Sequence, residues 1–352
     1  MRDENKMKVA IMSDIGKIDF IERDIPSPKA DEVLVKLAYV GICGSDMHYY
    51  EHGRIGDYAV AMPFVLGHEP SGVVVEVGSD VTDLKIGDRV TMEPGKTCGH
   101  CEFCKTGRYN LCPDVIFFAT PPIDGIFQEY TTHQADLCFK IPDQMSLMEA
   151  SMIEPLAVGF HAATQGDARI GQTAVVTGAG AIGLVSLLAL RAMGVTQVCV
   201  IDVLDNRLER AEKLGATTVI NGAKENVADR MNEITGGHGF DLGIETSGAQ
   251  VATVQMIEGV KKGGTIVLVG YSSTGEMTLP TSILLNKEIT VKKVFRYRHL
   301  YPIAIEAVAE GRVNVKDLIS HTFEFDDLQN AMDRSIREKG EIVKSVVRIA
   351  DL

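Results

Sequence analysis

The sequence has no run of basic residues and no interleaving of basic and aromatic side chains, and such patterns are typical of nucleic-acid-binding proteins. Its formal net charge at pH 7 is −13, so polyanions and anionic membrane surfaces would be repelled on average. Internal repeats and low-complexity linkers are also lacking. The N-terminal segment, MRDENKMKVAI, is charged and has no apolar stretch of signal-peptide length, so no export signal is predicted.

Long charge-free stretches are scarce as well, and residues 174–190 (AVVTGAGAIGLVSLLAL) form the one stretch that approaches the length of a membrane span. Three glycines interrupt its middle, which predicts a buried strand, a turn and a helix rather than a span. Cysteine is limited to seven residues in 352, and an odd total does not suit a disulfide framework. The chain is therefore expected to be soluble and cytoplasmic, with reduced thiols.

Length and composition predict a globular protein of two domains, because 352 residues exceed one typical domain and 45% of them are hydrophobic. Between about Gly171 and Phe295, apolar runs such as TAVVTG and QVCVID alternate with helical stretches such as NRLERAEKLG. This alternation predicts a doubly wound parallel α/β sheet. Before Glu154, short strands broken by Gly, Pro and Asp turns predict an antiparallel or barrel-like β domain.

A glycine-rich turn, VVTGAGAIG, follows the first strand of the α/β half and opens a helix. Gly178, Gly180 and Gly183 fit the pattern G-x-G-x-x-G, and in this context a pyrophosphate can bind at the helix N-terminus. Asp202 ends the next strand, about twenty residues on, where a carboxylate can accept a hydrogen bond from a ribose 2′-hydroxyl. NAD is therefore favoured over NADP, although Arg207 close by could instead meet a 2′-phosphate.

Four of the seven cysteines lie within residues 98–112, CGHCEFCKTGRYNLC. Cys98, Cys101, Cys104 and Cys112 have the spacing C-x2-C-x2-C-x7-C, which can wrap one tetrahedral zinc ion in a closed, structural site. An iron–sulfur cluster is the main rival, because cysteines at C-x2-C-x2-C spacing also ligate clusters. No proline follows the last-but-one cysteine in the ferredoxin manner, so structural zinc is preferred.

Three other segments carry mixed metal ligands: GICGSDMH, LGHEPSG and MIEPLAVGFH. One thiolate, one imidazole and one carboxylate would leave a coordination position open, as catalytic zinc sites do. Taken singly, each residue also has an ordinary explanation as a buried thiol, a core histidine or a carboxylate at a helix start. The candidates are Cys43, Ser45, His48, His68, Glu69 and Glu154.

These motifs, together with HYYEHGRIGDY, GRYNLCP, FFATPPIDG and VFRYRHLYPIA, occur in an order that resembles the zinc-dependent medium-chain dehydrogenases, and specifically their sorbitol dehydrogenase (L-iditol 2-dehydrogenase, xylitol dehydrogenase) branch. The resemblance covers nearly the whole chain. It implies a GroES-like β-rich catalytic domain formed by residues 1–157 and 296–352, and a Rossmann NAD-binding domain formed by residues 158–295. It also implies a homo-oligomer, either a tetramer or a dimer.

The resemblance assigns the site residues by position. Cys43, His68 and Glu69 would bind the catalytic zinc, while Glu154 would contact the zinc-bound water or itself become a ligand. The NAD-binding residues would be Gly178, Gly180, Ile182, Gly183, Asp202, Arg207, Val269, Gly270, Tyr271, Val294, Phe295 and Arg296. The polyol would contact Tyr50, Glu154, Arg296 and Tyr297.

The activity implied is the reversible oxidation of a polyol to a ketose, with hydride transfer to NAD+. Ser45 and His48 would carry the proton out through the nicotinamide ribose. Because Arg296 could also pair with a carboxylate, an L-threonine 3-dehydrogenase is the first alternative, followed by a 2,3-butanediol dehydrogenase. A non-catalytic NAD-binding zinc protein that senses redox state is the alternative of another class. Cys138 and Cys199 are assigned no role beyond packing.

Overall fold

The computed structural model describes residues 5–272 and 275–352, and the chain forms two compact units. The first unit contains the chain up to Glu154 together with Tyr301–Ala309 and Ile319–Leu352. The second unit contains Pro155–Leu300 and Glu310–Leu318. Residues 1–4, the start of the segment analysed for an export signal, lie outside the described residues.

The unit boundaries differ in detail from those expected from the sequence. The first segment of the first unit ends at residue 154, whereas the sequence predicts residue 157, and the second unit continues to residue 300, beyond the predicted residue 295. Glu310–Leu318 was expected in the first domain but belongs to the second unit. Its attachment includes a hydrogen bond of 2.7 Å from Arg210 Nη1 to the Asp317 carbonyl.

The N-terminal part of the first unit consists mainly of strands, as its short, turn-bounded apolar runs predict. The strands are β1 (Lys6–Asp14), β2 (Lys17–Asp24), β3 (Glu32–Ile42), β4 (Arg54–Ile55), β5 (Tyr58–Ala59), β6 (Glu69–Val77), β7 (Arg89–Met92), β8 (Gly95–Lys96), β9 (Ile116–Phe117), β10 (Tyr130–Gln134) and β11 (Cys138–Lys140). The helices are α1 (Gly44–His52), α2 (Glu102–Lys105) and α3 (Leu147–Ala150), with 3-10 turns at Tyr109–Leu111 and Ala135–Leu137. Helix α4 (Ile153–Gln165) continues the chain into the second unit.

The second unit alternates strands and helices in the predicted manner. Its elements are β12 (Thr173–Thr177), α5 (Ala181–Ala192), β13 (Gln197–Asp202), α6 (Asp205–Lys213), β14 (Thr218–Asn221), α7 (Val227–Ile234), β15 (Phe240–Glu245), α8 (Gln250–Gly259), β16 (Val260–Leu268), α9 (Thr281–Lys287) and β17 (Thr290–Lys293). The strands are parallel and lie in the order β14-β13-β12-β15-β16-β17. This is the Rossmann order, whose direction reverses between β12 and β15.

After the second unit the chain returns to the first. It contributes α10 (Tyr301–Ala309), β18 (His321–Glu324), α11 (Leu328–Arg337) and β19 (Ser345–Arg348), with a 3-10 turn at Lys316–Leu318 in the second unit and another at Phe325–Asp327. The sheet of the first unit has seven strands in the order β11-β7-β6-β3-β19-β18, and β10 also pairs with β3. Strand β19 lies antiparallel to β3, with Val347 opposite Val40. The return of the C-terminal segment therefore completes the sheet that carries β3.

Each unit has its own apolar core. Cys138 belongs to the core of the first unit, and Cys199 to that of the second. Burial raises the pKa of Cys199 to about 12, so its thiol is inert at neutral pH, in keeping with a packing role. All seven cysteines are free thiols. Among the residues that the structure describes, no helix has the length and apolar character needed to cross a membrane.

Candidate functional site

Three residues from two motifs, GICGSDMH and LGHEPSG, come together in the first unit, around β3, α1 and β6. Cys43 directly follows β3 and caps the N-terminus of α1, His68 precedes β6, and Glu69 is the first residue of β6. Strands β3 and β6 are antiparallel, and their register pairs Gly41 with Glu69. One ligand atom of each side chain lies within 4.8 Å of the other two, and both His68 and Glu69 are buried. The fold thus brings together one thiol, one imidazole and one carboxylate.

Asp46, which the motifs did not single out, fixes the orientation of this group. Its Oδ2 accepts the Cys43 N–H and its Oδ1 accepts the Gly67 N–H, both at 2.9 Å, while Oδ1 lies 3.7 Å from His68 Nδ1. At 3.7 Å the carboxylate makes no hydrogen bond to the ring, but its negative charge lies beside the buried imidazole. An acidic residue three positions after the N-cap is a recognisable capping signal, and it could have identified Asp46 from the sequence.

The electrostatics of the group favour a positive charge within it. Burial alone would lower the pKa of His68, but the neighbouring Asp46 and Cys43 raise that pKa well above its usual value. Burial alone would raise the pKa of Asp46, but His68 and the two backbone N–H groups lower it. Within the described parts of the chain, His68 Nδ1 is buried without a hydrogen bond. The residues therefore fit a bound divalent cation, and the thiol–imidazole–carboxylate donor set fits zinc.

A second residue outside the motifs, Lys344, pairs with Glu69. The two side chains are only 3% and 1% exposed, and Lys344 Nζ contacts Glu69 Oε2 and donates to the Ile42 carbonyl at 2.9 Å. Burial alone would lower the pKa of Lys344, but Glu69 and Cys43 raise it. The Glu69 carboxylate lies against the backbone of Gly41, where a Cβ would be 1.9 Å from Oε2. Lys344 therefore contacts one of the two oxygens of the Glu69 carboxylate.

Glu154 lies near the metal ligands but outside the three-residue set. It is 5% exposed at the start of α4, and its charge contributes to the raised pKa of Lys344. Glu154 also acts on Glu93, whose pKa is raised to about 7, mainly by burial. Glu93 is a further buried acid that the motifs did not single out.

Helix α1 holds three of the predicted site residues: Ser45, His48 and Tyr50. Ser45 and His48 lie three residues apart on α1, with Ser45 half-buried and His48 exposed. Tyr50 is 2% exposed, and its hydroxyl lies 2.7 Å from both the Gly16 carbonyl and Asp333 Oδ1. Burial and Asp333 raise the Tyr50 pKa. The Tyr50 hydroxyl therefore makes these contacts within the first unit, and its contact with a polyol stays a prediction.

The four clustered cysteines converge on one point, in agreement with the metal site predicted for them. The Sγ atoms of the four residues all lie within 4.8 Å of one another: Cys98, Cys101, Cys104 and Cys112. The Cys101–Cys104 and Cys98–Cys104 sulfur distances are 3.5 and 4.0 Å. Four sulfurs bound to zinc at about 2.3 Å would be about 3.8 Å apart, so little movement is needed to bind the ion. Backbone N–H groups at 3.4 Å from three of the sulfurs help to stabilise thiolates.

The glycine-rich turn of the second unit links β12 to α5 at the reversal point of the sheet. A Cβ on Gly183 would lie 1.7 Å from the Gly178 carbonyl oxygen, so no larger side chain fits there. A Cβ on Gly180, in contrast, would meet no atom within 4 Å. Gly180 caps the N-terminus of α5 and Ile182 lies half-buried in its first turn. The turn thus leaves room for a pyrophosphate at the N-terminus of α5.

Asp202, at the end of β13, organises this turn. Its Oδ2 accepts the Ala179 N–H at 2.7 Å, and its Oδ1 accepts the N–H groups of Val203 and Leu204 at 2.7 and 3.0 Å. A carboxylate has about four acceptor positions, so one remains for a ribose hydroxyl. Arg207 Nη1 lies 3.9 Å from Asp202 Oδ2, and this pairing reduces the charge that Arg207 would offer to a 2′-phosphate.

The other predicted cofactor residues follow the carboxyl ends of neighbouring strands in the same unit. The N–H groups of Val269 and Gly270 donate to the Glu245 carbonyl at 2.8 and 3.1 Å, directly after β16. Val294 follows β17 and donates to the Leu268 carbonyl at 3.0 Å. Tyr271 is 76% exposed. Ligands of Rossmann sheets bind outside this edge, so the positions are suited to a dinucleotide.

Arg296 and Tyr297, predicted to contact the substrate, also belong to the second unit. Arg296 adopts a positive φ of 54°, and its guanidinium lies 4.8 Å from the centre of the Phe295 ring. Phe295 is 38% exposed, whereas Tyr297 is 2% exposed. Of the two predicted residues, Arg296 therefore presents more surface to a ligand.

Comparisons with known proteins agree with both units. Residues 29–143 match the alcohol dehydrogenase GroES-like domain family, and residues 181–310 match the zinc-binding dehydrogenase family. The chain is 43% identical over 341 residues to sorbitol dehydrogenase of Bacillus subtilis, with 97% of each chain covered. It thereby aligns along nearly its whole length with a curated dehydrogenase.

Solved structures show the same likeness. An oxidoreductase of unknown specificity from Escherichia coli has a TM-score of 0.94 and 43% identity, covering 98% of this chain and all of the other. An alcohol dehydrogenase from Escherichia coli CFT073, crystallised with NADH, has a TM-score of 0.91 and 30% identity over 98% of this chain and all of its own. The chain accordingly belongs to the zinc-dependent medium-chain dehydrogenase family, in its sorbitol dehydrogenase branch.

Proposed function

We propose that this protein oxidises a secondary alcohol of a polyol such as sorbitol or xylitol to the ketose, reversibly and with NAD+. The observation that carries the proposal is the buried Cys43–His68–Glu69 group, which offers three zinc ligands and leaves a fourth position for an alcohol oxygen. Its full-length likeness to a sorbitol dehydrogenase supports a polyol as the substrate. Reduced thiols throughout the chain support a reducing compartment, the cytoplasm.

Each side chain around the metal site would have a different role. Cys43, His68 and Glu69 would hold zinc. Asp46 would orient His68, and Lys344 would bind Oε2 of Glu69. When bound, zinc supplies Lewis-acid chemistry that favours the alkoxide form of the alcohol, and NAD+ supplies the hydride acceptor. The clustered cysteines form a closed donor set, which suits a structural ion. Glu154, buried close to the ligands, is suited to hold the water or hydroxyl at the open position.

The proton released by the alcohol has a route along α1 in this proposal. Ser45, in the first turn, would take the proton, and exposed His48 would pass it to solvent. Positions i and i+3 of a helix lie on one face, so both groups can serve one path.

Substrate choice would rest on polar groups that a simple alcohol leaves unpaired. The predicted substrate residues Tyr50, Glu154, Arg296 and Tyr297 would supply such groups. Arg296 could also pair with the carboxylate of an amino acid, so L-threonine remains the main alternative substrate. Preference for NAD would rest on Asp202, whose carboxylate would repel a 2′-phosphate.

The test is a panel of alcohols, assayed by NADH or NADPH formation. Sorbitol, xylitol, galactitol, 2,3-butanediol and L-threonine are compared with NAD+ and with NADP+ on protein of measured zinc content. The proposal expects two zinc ions per chain, the highest kcat/KM with a polyol and NAD+, and loss of turnover on chelation. Preference for L-threonine or butanediol would replace the polyol assignment. One zinc ion per chain and no turnover with any alcohol would favour a non-catalytic redox sensor.

A further inference from the structure

Two histidines on α1 form a pair that the reaction does not use as a pair. His48 and His52 lie at positions i and i+4 of this helix, which places them on one face, and both are exposed. Their ring centres are 5.3 Å apart with an interplanar angle of 63°. This arrangement is the one in which two helical histidines bind the same metal ion.

The separation of the rings matches shared coordination. With a metal–nitrogen distance of about 2.0–2.1 Å, each ring centre would lie about 3.2 Å from the ion, and coordination angles of about 90–110° would put the two centres about 4.5–5.2 Å apart. The observed 5.3 Å lies just above this range. Neutral imidazole suits divalent zinc, copper and nickel, and the formal net charge of −13 attracts cations to the protein.

The neighbouring side chains leave the pair accessible. Glu51, between the two histidines in sequence, is directed to Lys339, whose Nζ lies 3.5 Å from Glu51 Oε2. The helix ends just after the pair, where the Gly53 N–H donates to the Tyr49 carbonyl at 2.7 Å. His52 therefore sits in the last turn of a defined helix. Water would fill the remaining coordination positions of a bound ion, so binding would be reversible.

We propose that His48 and His52 form a reversible inhibitory site for a divalent transition-metal ion, separate from the two predicted zinc sites. An ion held here occupies the imidazole of His48. On the proton path proposed above, on which this step depends, the occupied imidazole can no longer accept a proton. Alcohol oxidation then slows although the catalytic ligands Cys43, His68 and Glu69 are untouched.

The experiment uses zinc-loaded enzyme and Ni2+ as the probe. Calorimetric titration is performed on the wild type, on His52→Gln, and on His238→Gln as a control that removes another exposed histidine outside the pair. The wild type and the control should bind one Ni2+ per chain, and His52→Gln should bind it more than about tenfold more weakly because a chelate becomes a single ligand. Zinc content before and after titration shows whether Ni2+ has displaced zinc.

The second measurement is turnover in the presence of Ni2+. Wild type and His238→Gln should be inhibited over the concentration range in which Ni2+ binds, whereas His52→Gln should keep its unchanged basal activity. Equal Ni2+ binding by His52→Gln and wild type would overturn the site, and binding without inhibition would overturn its regulatory role. If no alcohol is turned over while Ni2+ binding follows His52, the proposed function fails and the metal site stands.

Discussion

Replacing Lys344 by methionine tests how the buried charges around Glu69 are balanced. Methionine keeps most of the volume of lysine and removes its charge, so the main change is electrostatic. Both partners are almost fully buried, at 3% and 1% exposure, and solvent cannot screen the charge that remains. Removing one member of such a pair costs about 3–5 kcal/mol, because the other charge stays buried without compensation. We expect Lys344→Met to lower the free energy of unfolding of metal-free protein by about that amount.

The assay is urea unfolding of chelated protein in a double-mutant cycle. Glu69→Gln alone leaves Lys344 buried without its carboxylate partner, whereas the double variant removes both charges and should lose clearly less stability than the two single variants added together. Lys339→Met is the matched surface control. Its partner is Glu51, the Lys339 side chain is 58% exposed, and its loss should cost at most about 1 kcal/mol.

Repeating the unfolding measurements with zinc bound provides a second test. A bound ion would supply a positive charge beside Glu69, so zinc should restore more stability to Lys344→Met than to wild type. Additive single-variant effects, or a Lys344→Met effect no larger than that of Lys339→Met, would refute the view that the pair is a coupled, buried unit.

Three further predictions concern the two units. Cys43→Ser should abolish turnover and lower the zinc content by one ion per chain while NAD binding, measured by fluorescence titration, is retained; turnover close to wild type would reject the ligand assignment. Asp202→Ala should raise the KM for NAD+ at least about tenfold, because charged hydrogen bonds are worth about 1.5–3 kcal/mol, and should shift kcat/KM toward NADP+. An unchanged cofactor ratio would contradict the ribose contact. Burial, with Arg298, lowers the pKa of His161 to about 4, so the stability due to its neutral ring is full above pH 6.5 and is lost as the pH falls toward 4. Thermal unfolding should therefore show wild type losing about 2 kcal/mol more than His161→Gln between pH 7.5 and pH 5, and parallel losses would reject this assignment.

The residues that could be predicted from the sequence are those that occur in short local motifs. Cys43, His68 and Glu69 stand in such motifs, and the fold brings their ligand atoms together. The alternation of β-branched runs with helical stretches likewise predicted the doubly wound sheet, and the strand order and the family both confirm that fold class. Local patterns of this kind predict the structure correctly because each depends on residues within one strand, one turn or one helix.

Other features depend on contacts that local patterns do not encode. Lys344 lies 275 residues from Glu69 along the chain, and its neighbours form no motif, so only the pairing of β19 with β3 reveals its role. Tyr50 is predicted to contact the substrate because it belongs to a branch-specific motif, but its hydrogen bonds to Gly16 and Asp333 cannot be predicted from that motif. Adjacent residues on a helix point about 100° apart, and the motif HYYEHG does not say which of its tyrosines faces inward to α11.

The long separation of Glu69 from Lys344 has a consequence for how the protein matures. All of the second unit is encoded between these two residues, and translation at about 5–20 residues per second takes about 14–55 seconds to cross the 275 residues. During that time the nascent first unit lacks both β19 and the cation that neutralises Glu69. The dinucleotide-binding unit can fold on the ribosome in the meantime. Newly made chains therefore pass through a stage in which they can bind the coenzyme while the catalytic metal site is still incomplete.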